Sequence, residues 1–324
     1  MTGPSIRPRR LRANPAMRRL VAETRLHPAE LVLPMFVREG VREPVPISSM
    51  PGVVNHSLDS LRRAAVEAAE AGVGGVMLFG IPAYKDAIGS GATADDGILN
   101  VATRAVVAEV GDALVVQTDL CLDEYTDHGH CGVLAADGSV DNDASLLRYR
   151  DMGVAQAAAG SQLLGLSGMM DGQVAAVRDA LDSNDFAGTA ILGYAAKYAS
   201  AFYGPFREVA ESEPSFGDRR GYQLDPPNVR EALRECALDL EEGADALMVK
   251  PALAYLDVIR AVRERFDCPV AAYNVSGEYA MVKAAAAAGH LDEKAATLES
   301  LVAIKRAGAD LIFTYWAKDL ARWL

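Results

Sequence analysis

The chain has 324 residues, half of them hydrophobic and 23% charged, with a formal net charge of -12. That apolar content is too high for a disordered chain, and no 18-residue stretch is free of charge and polarity, which excludes a membrane-spanning helix. The acidic balance argues against a general nucleic-acid binder and leaves room for a local basic pocket facing an acidic substrate.

The opening stretch from Arg7 to Arg25 holds seven arginines and one acid, Glu23. Its charge is that of a targeting peptide, but serine is scarce and the stretch runs unbroken into the first strand-like segment. Residues 1–29 therefore read as an arm of the mature chain, and residues 30–324 as one domain. From there, apolar runs alternate with amphipathic stretches. In chain order the sequence predicts strand Leu31–Val37, helix Leu58–Ala71, strand Val73–Gly80, helix Ile98–Val110, strand Ala113–Leu120 and helix Ser145–Ala159. It continues with strand Gln162–Ser167, helix Gly172–Leu181, strand Ala190–Lys197, helix Asn228–Glu242, strand Ala244–Lys250 and helix Tyr255–Phe266. Strand Pro269–Val275, helices Glu278–Ala288 and Glu293–Ala307, and strand Ala309–Tyr315 complete the set. Gly72, Gly243 and Gly308 stand where a left-handed helix cap costs least. Runs this apolar suit parallel strands buried on both faces. Eight β/α units predict a TIM (β/α)8 barrel. A doubly wound sheet would show a glycine-rich phosphate loop after its first strand, and Met35–Arg38 opens none.

Four scattered cysteines make no disulfide framework and point to a reducing, cytoplasmic setting.

A barrel carries its chemistry at the carboxyl ends of its strands. The chain has seven lysines against twenty-five arginines, and two of the seven, Lys197 and Lys250, close adjacent apolar runs. Burial and mutual repulsion would lower both pKa values and give neutral amines that attack a carbonyl. The plain alternative is a pair of structural lysines, each paired with a carboxylate.

The third run leads into Asp119, Cys121, Asp123 and Glu124, and on to His128, His130 and Cys131. Thiols, imidazoles and carboxylates this close suit a borderline-soft divalent metal such as zinc; a solvated polar loop is the alternative. The segment from Ser200 to Gln223 is long for a barrel loop and reads as a lid. Its Arg207 and Arg219 could grip a carboxylate, or face the acidic surface. Ser276 either approaches an anion at a helix start or serves as an N-cap. Tyr315, alone, would be a packing residue.

These residues together resemble the porphobilinogen synthase (5-aminolevulinate dehydratase) family, over nearly the whole chain. The most specific stretches are Ala196-Lys-Tyr-Ala-Ser-Ala-Phe-Tyr-Gly-Pro-Phe-Arg207, Met248-Val-Lys-Pro-Ala252 and Val275-Ser-Gly-Glu-Tyr-Ala-Met281. His128-Gly-His-Cys-Gly132 and Lys305-Arg-Ala-Gly-Ala-Asp310 add to them. The resemblance implies a barrel whose N-terminal arm embraces a neighbour, commonly in a homo-octamer. It implies condensation of two 5-aminolevulinate molecules to porphobilinogen, in heme biosynthesis. Lys250 matches the lysine that forms the Schiff base with the first substrate, and Lys197 the partner that engages the second. Ser276 and Tyr315 match residues holding the first carboxylate. Arg207, Arg219 and Gln223 match lid residues holding the second, and Asp119 an aspartate at the second amino end.

Three departures accompany the match. Zinc-using members have three thiols where this chain has Cys121, Asp123 and Cys131, so zinc is weakened and a harder ion gains room. Gly168 stands where many members have aspartate, and Gly193 where many have serine. Glu235 matches a carboxylate that binds magnesium in some members. Two rival readings remain: a one-lysine Schiff-base aldolase, and a non-catalytic relative. The second lysine speaks against both.

Overall fold

The structure, a computed structural model, describes residues 6–324. Its strands are β1 Leu31–Arg38, β2 Val45–Pro46, β3 Val54–His56, β4 Gly75–Ile81 and β5 Val115–Leu120. They continue as β6 Leu163–Leu166, β7 Ala190–Lys197, β8 Ala246–Lys250, β9 Val270–Asn274 and β10 Leu311–Thr314. Eight of the ten form one parallel ring, in the order β1, β4, β5, β6, β7, β8, β9, β10. Leu31 against Ile312 and Val32 against Phe313 join β10 back to β1 and close the ring. The predicted TIM barrel is therefore present, with helices between successive strands.

Alternation along the strands sorts the core into two layers. Met248, Leu192, Tyr194, Tyr273 and Phe313 fill the barrel interior, while Leu247, Val249, Val76 and Val116 pack outward against the helices. Lys250 continues the inward series Ala246, Met248 on β8. Lys197 breaks the series on β7: Leu192 and Tyr194 point inward, so strict alternation would send it outward. A bulge between Gly193 and Ala196 adds one residue and sets Lys197 opposite Lys250 in the ladder.

Most predicted elements stand, with ends moved by a few residues. The helix predicted from Ser145 begins at Asn142, because the Asp141 side chain accepts from Ala144 N and caps it. The helix predicted from Glu278 begins at Ser276, with Val275 as its N-cap. The β2–β3 ribbon was not anticipated. It extends β1 through Phe36–Asn55 and Val37–His56, and two- and three-residue strands carry no periodicity to read. The lid helix Gly204–Ala210 and the terminal helix Ala317–Trp323 were also missed. The arm forms a 3-10 turn at Pro8–Arg12 and a short helix Pro15–Leu20, and no residue of either is buried. Among the described residues no helix is long and apolar enough to cross a membrane.

Candidate active site

A narrow cavity lies at the carboxyl ends of the barrel strands. Eight of the sequence-predicted residues line it: Asp119, Asp123, Lys197, Arg207, Arg219, Lys250, Ser276 and Tyr315. Phe79, Glu124, Tyr203, Phe206 and Tyr273 complete the wall with Ser167 and Val275. The sequence singles out none of these as a wall residue, although Glu124, Ser167, Tyr203, Phe206 and Val275 lie inside stretches it marks. Phe79 and Tyr273 carry only a core pattern.

Lys250 Nζ sits 4.4 Å from the Tyr273 ring centre and 5.3–5.5 Å from those of Tyr194, Tyr203 and Phe206. Burial, and next the Lys197 charge, bring its pKa down to about 8. Lys197 corrects the expectation of two low-pKa lysines. Burial alone would lower it, but the Cys131, Asp123 and Asp119 charges outweigh burial and raise it. Its ammonium donates to Ser167 O. One lysine is thus poised as a nucleophile and the other as a fixed cation. Asp119, pushed up by burial and held back by both lysines, stands at about 6. Its Oδ2 accepts from Ser167 Oγ at 2.9 Å, and its Oδ1 has no partner among the described residues.

The segment read as a lid contributes Tyr203, Phe206, Arg207 and Arg219 to the cavity wall. Lys85 donates to Ala210 O and Glu211 O, at 3.0 and 2.8 Å. Ser276 Oγ accepts from Phe206 N at 3.0 Å, so Ser276 is the first helical residue and a lid contact, not an N-cap. Arg219 Nη2 lies 2.9 Å from Asp123 Oδ2, both side chains no more than 4% exposed, and donates also to Gly129 O and Ser212 O. Burial pushes the Asp123 carboxyl up, but Arg219 and Lys197 hold it well below the usual carboxylate range. Arg207 Nε and both amide ends of Gln223 are buried without a partner among the described residues.

Behind this wall, one ligand atom from each of Cys121, Asp123 and Cys131 lies within 4.8 Å of the others. Burial raises the Cys121 thiol well above its usual value; Cys131, favoured by Cys121 and by Arg219, falls to about 7. Two thiols, one already easy to ionise, and a carboxylate form a donor set that can hold a metal ion. The histidines do not join it. His130 bonds Tyr222 OH and Phe216 O and so braces the 200–223 segment, while His128 approaches Ala87 O.

The sequence matches the family described as delta-aminolevulinic acid dehydratase over residues 5–323. The chain belongs to that family.

Its dehydratase relatives include the Streptomyces coelicolor protein, 62% identical over 99% of this chain and 98% of its own length. A Mycobacterium tuberculosis protein of the same name is 61% identical over the same shares. The crystal structure of the Toxoplasma gondii dehydratase, holding its reaction product porphobilinogen, superposes with a TM-score of 0.96. It is 42% identical and covers 99% of this chain and 92% of its own.

The two glycine departures have packing causes. A Cβ at Gly168 would collide with the Tyr149 hydroxyl and approach Tyr149 Cζ at 2.5 Å. That hydroxyl donates to Cys131 O and lies 3.8 Å from Cys121 Sγ. Tyr149 has thus taken the space an aspartate would need. Gly168→Asp is expected to cost about 1–3 kcal/mol by overpacking, and to shift the Cys131 loop; thermal melting measures the first. A Cβ at Gly193 would stand 2.5 Å from Asp239 Oδ2. Gln223 and Glu235 do not reach the cavity. They line a separate, wider groove with Asp171, Glu231 and Asp239, where burial and Asp171 push the Glu235 carboxyl upward.

Proposed function

We infer that this chain is a porphobilinogen synthase, the hydro-lyase that condenses two 5-aminolevulinate molecules asymmetrically to porphobilinogen in tetrapyrrole (heme) biosynthesis. One observation carries the reading: two buried lysines of opposite character share one cavity with cations for carboxylates. The neutral Lys250 amine attacks the ketone carbon of the first substrate and a C–N bond forms. The ketone oxygen leaves as water, giving a Schiff base. The ring faces around Nζ favour that cationic iminium over the neutral amine. Ser276 and Tyr315 hold the first substrate's carboxylate. Arg207 and Arg219 hold the second, with Gln223 behind the lid. Lys197, kept protonated, stands beside the second ketone as a proton donor. Asp119, at about 6, exchanges a proton with the second amino group. The carbon beside the second ketone forms a C–C bond to the Schiff-base carbon, and the first substrate's amino group forms a C–N bond to the second ketone carbon, whose oxygen leaves as water. The C–N bond to Lys250 then breaks as ring C–H protons are lost, so the lysine is regenerated and both ketone oxygens have left as water.

Zinc is the ion the Cys121, Asp123 and Cys131 set favours, by its two sulfur donors. When bound there it would supply Lewis acidity beside Lys197. Magnesium at Glu235 rests on the neighbouring carboxylates of the outer groove. The arm, with Leu11 and Leu20 exposed, serves oligomer contacts in a homo-octamer. Four unpaired cysteines suit the cytoplasm.

A borohydride trap tests the reading. Incubation with 5-aminolevulinate, reduction and peptide mass mapping should place an adduct on Lys250. No adduct on folded protein, with and without zinc and magnesium, would end it. The trapping rate should also rise about tenfold per pH unit up to about 8 and then level off, since only the neutral amine attacks. A midpoint near 10 would mean that Lys250 is not the desolvated amine described.

A further inference from the structure

The residues proposed to grip the first substrate stand on three neighbouring strand ends: Lys250 on β8, Ser276 after β9 and Tyr315 after β10. Beneath them runs a second set of buried polar groups that touch no cavity. Glu278 is 1% exposed, and its carboxylate faces only N–H donors. Oε1 accepts from Leu253 N at 2.7 Å, beyond the end of β8. Oε2 accepts from Val275 N at 2.9 Å and Asn274 Nδ2 at 3.0 Å, at the end of β9. Ala252 N is a further donor to the carboxylate. Asn274 is then joined to β10: its Oδ1 accepts from Thr314 Oγ1 at 3.1 Å, next to Tyr315. Asn274 and Thr314 are fully buried.

A carboxylate spent only on capping a helix needs the two donors of its own turn. Here it also holds the loop behind Lys250, 25 residues away in sequence. Side chains in such a network lose their freedom and fix their neighbours. Burial of the carboxylate is costly and pushes its pKa up to about 7, with four N–H groups holding it back.

We propose that Glu278 is a positioning residue, which with Asn274 and Thr314 sets the span from the Lys250 amine to the carboxylate clamp at Ser276 and Tyr315. The inference rests on the Schiff-base reading above. Its consequence is selective. The belt does not touch Nζ, so the reactivity of the amine is left alone. What it fixes is the match between that amine and a carboxylate a set distance away, and small misplacements of this kind cost up to about 10²-fold.

The test compares two ketones on the full-length protein by borohydride trapping. One is 4-oxopentanoate, which carries ketone and carboxylate; the other is butanone, which has no carboxylate. Glu278→Gln puts an NH2 group against N–H donors. It should slow trapping of 4-oxopentanoate by about tenfold or more, while butanone stays within about twofold. Glu278→Asp restores the charge without the reach and should not rescue. Thr314→Val removes only the outer link and should give a smaller loss, again confined to the keto acid. Should Glu278→Gln not fold, Thr314→Val decides by the same comparison. Equal losses for both ketones would assign Glu278 to general structure and overturn the proposal, as would no loss for either. A wild-type protein that traps neither ketone would instead overturn the Schiff-base reading beneath it.

Discussion

Lys250→Ala should lower condensation by at least about 10³-fold, the scale on which loss of a covalent nucleophile registers. Borohydride adducts should disappear with it, while the melting temperature holds or rises. That rise follows because burying an amine in a ring of four aromatic side chains has a desolvation cost that alanine does not incur. Lys197→Ala should behave differently. The adduct on Lys250 should persist and condensation should fail. The nearby positive charge that lowers the Lys250 pKa would be gone, so the trapping profile should move to higher pH. Adduct formation at unchanged pH dependence in Lys197→Ala would separate the two lysines electrostatically and contradict their placement.

Asp123→Ala should destabilise the lid by about 3–5 kcal/mol, because it leaves the Arg219 guanidinium buried opposite no carboxylate. Hydrogen exchange across residues 204–223 would read this as lost protection, beyond any loss in the barrel strands. The sign with pH follows from the depressed Asp123 carboxyl. The ion pair is fully present at neutral pH and fails only in strong acid, as the folded carboxyl takes up its proton. Asp123→Cys separates the two duties of this position. It removes the ion pair as alanine does, and it also completes a three-thiol metal set. Zinc retention through dialysis should rise while lid protection falls in the metal-free protein. If Asp123→Cys kept full protection without metal, the lid would be held by its backbone contacts to Ser212 and Gly129.

The barrel was legible because parallel strands buried on both faces write continuous apolar runs, and eight such runs alternate with amphipathic stretches. The two lysines were legible by position, at the ends of two such runs. Their opposite characters were not. Lys197 is held protonated by Cys131, Asp123 and Asp119, and that grouping exists only once β5 and β7 fold to the same end of the barrel. The bulge on β7 was equally hidden: the run Ala190–Lys197 reads as an even strand, and only the ladder shows the extra residue. The pairing of Arg219 with Asp123 spans 96 residues. Sequence assigned each side chain to a different ligand, a substrate carboxylate and a metal, with nothing to say that they meet. The histidines erred the other way: close spacing suggested metal ligation, but the lid residues Phe216 and Tyr222 claim His130 first.

Arg219 already holds a carboxylate of its own chain. On the proposed reading, two identical molecules must enter one cavity and play unlike parts. Among the described residues, no ion pair with an internal carboxylate stands at Lys250, Ser276 or Tyr315 as one does at Arg219. A carboxylate arriving at Arg219 therefore competes with Asp123, and its apparent affinity is reduced by the fraction of time the latch is shut. Asymmetry between chemically equal guests then needs no difference in intrinsic contacts. It comes from one seat being taken in advance, which makes the order of filling a built-in property of the empty protein.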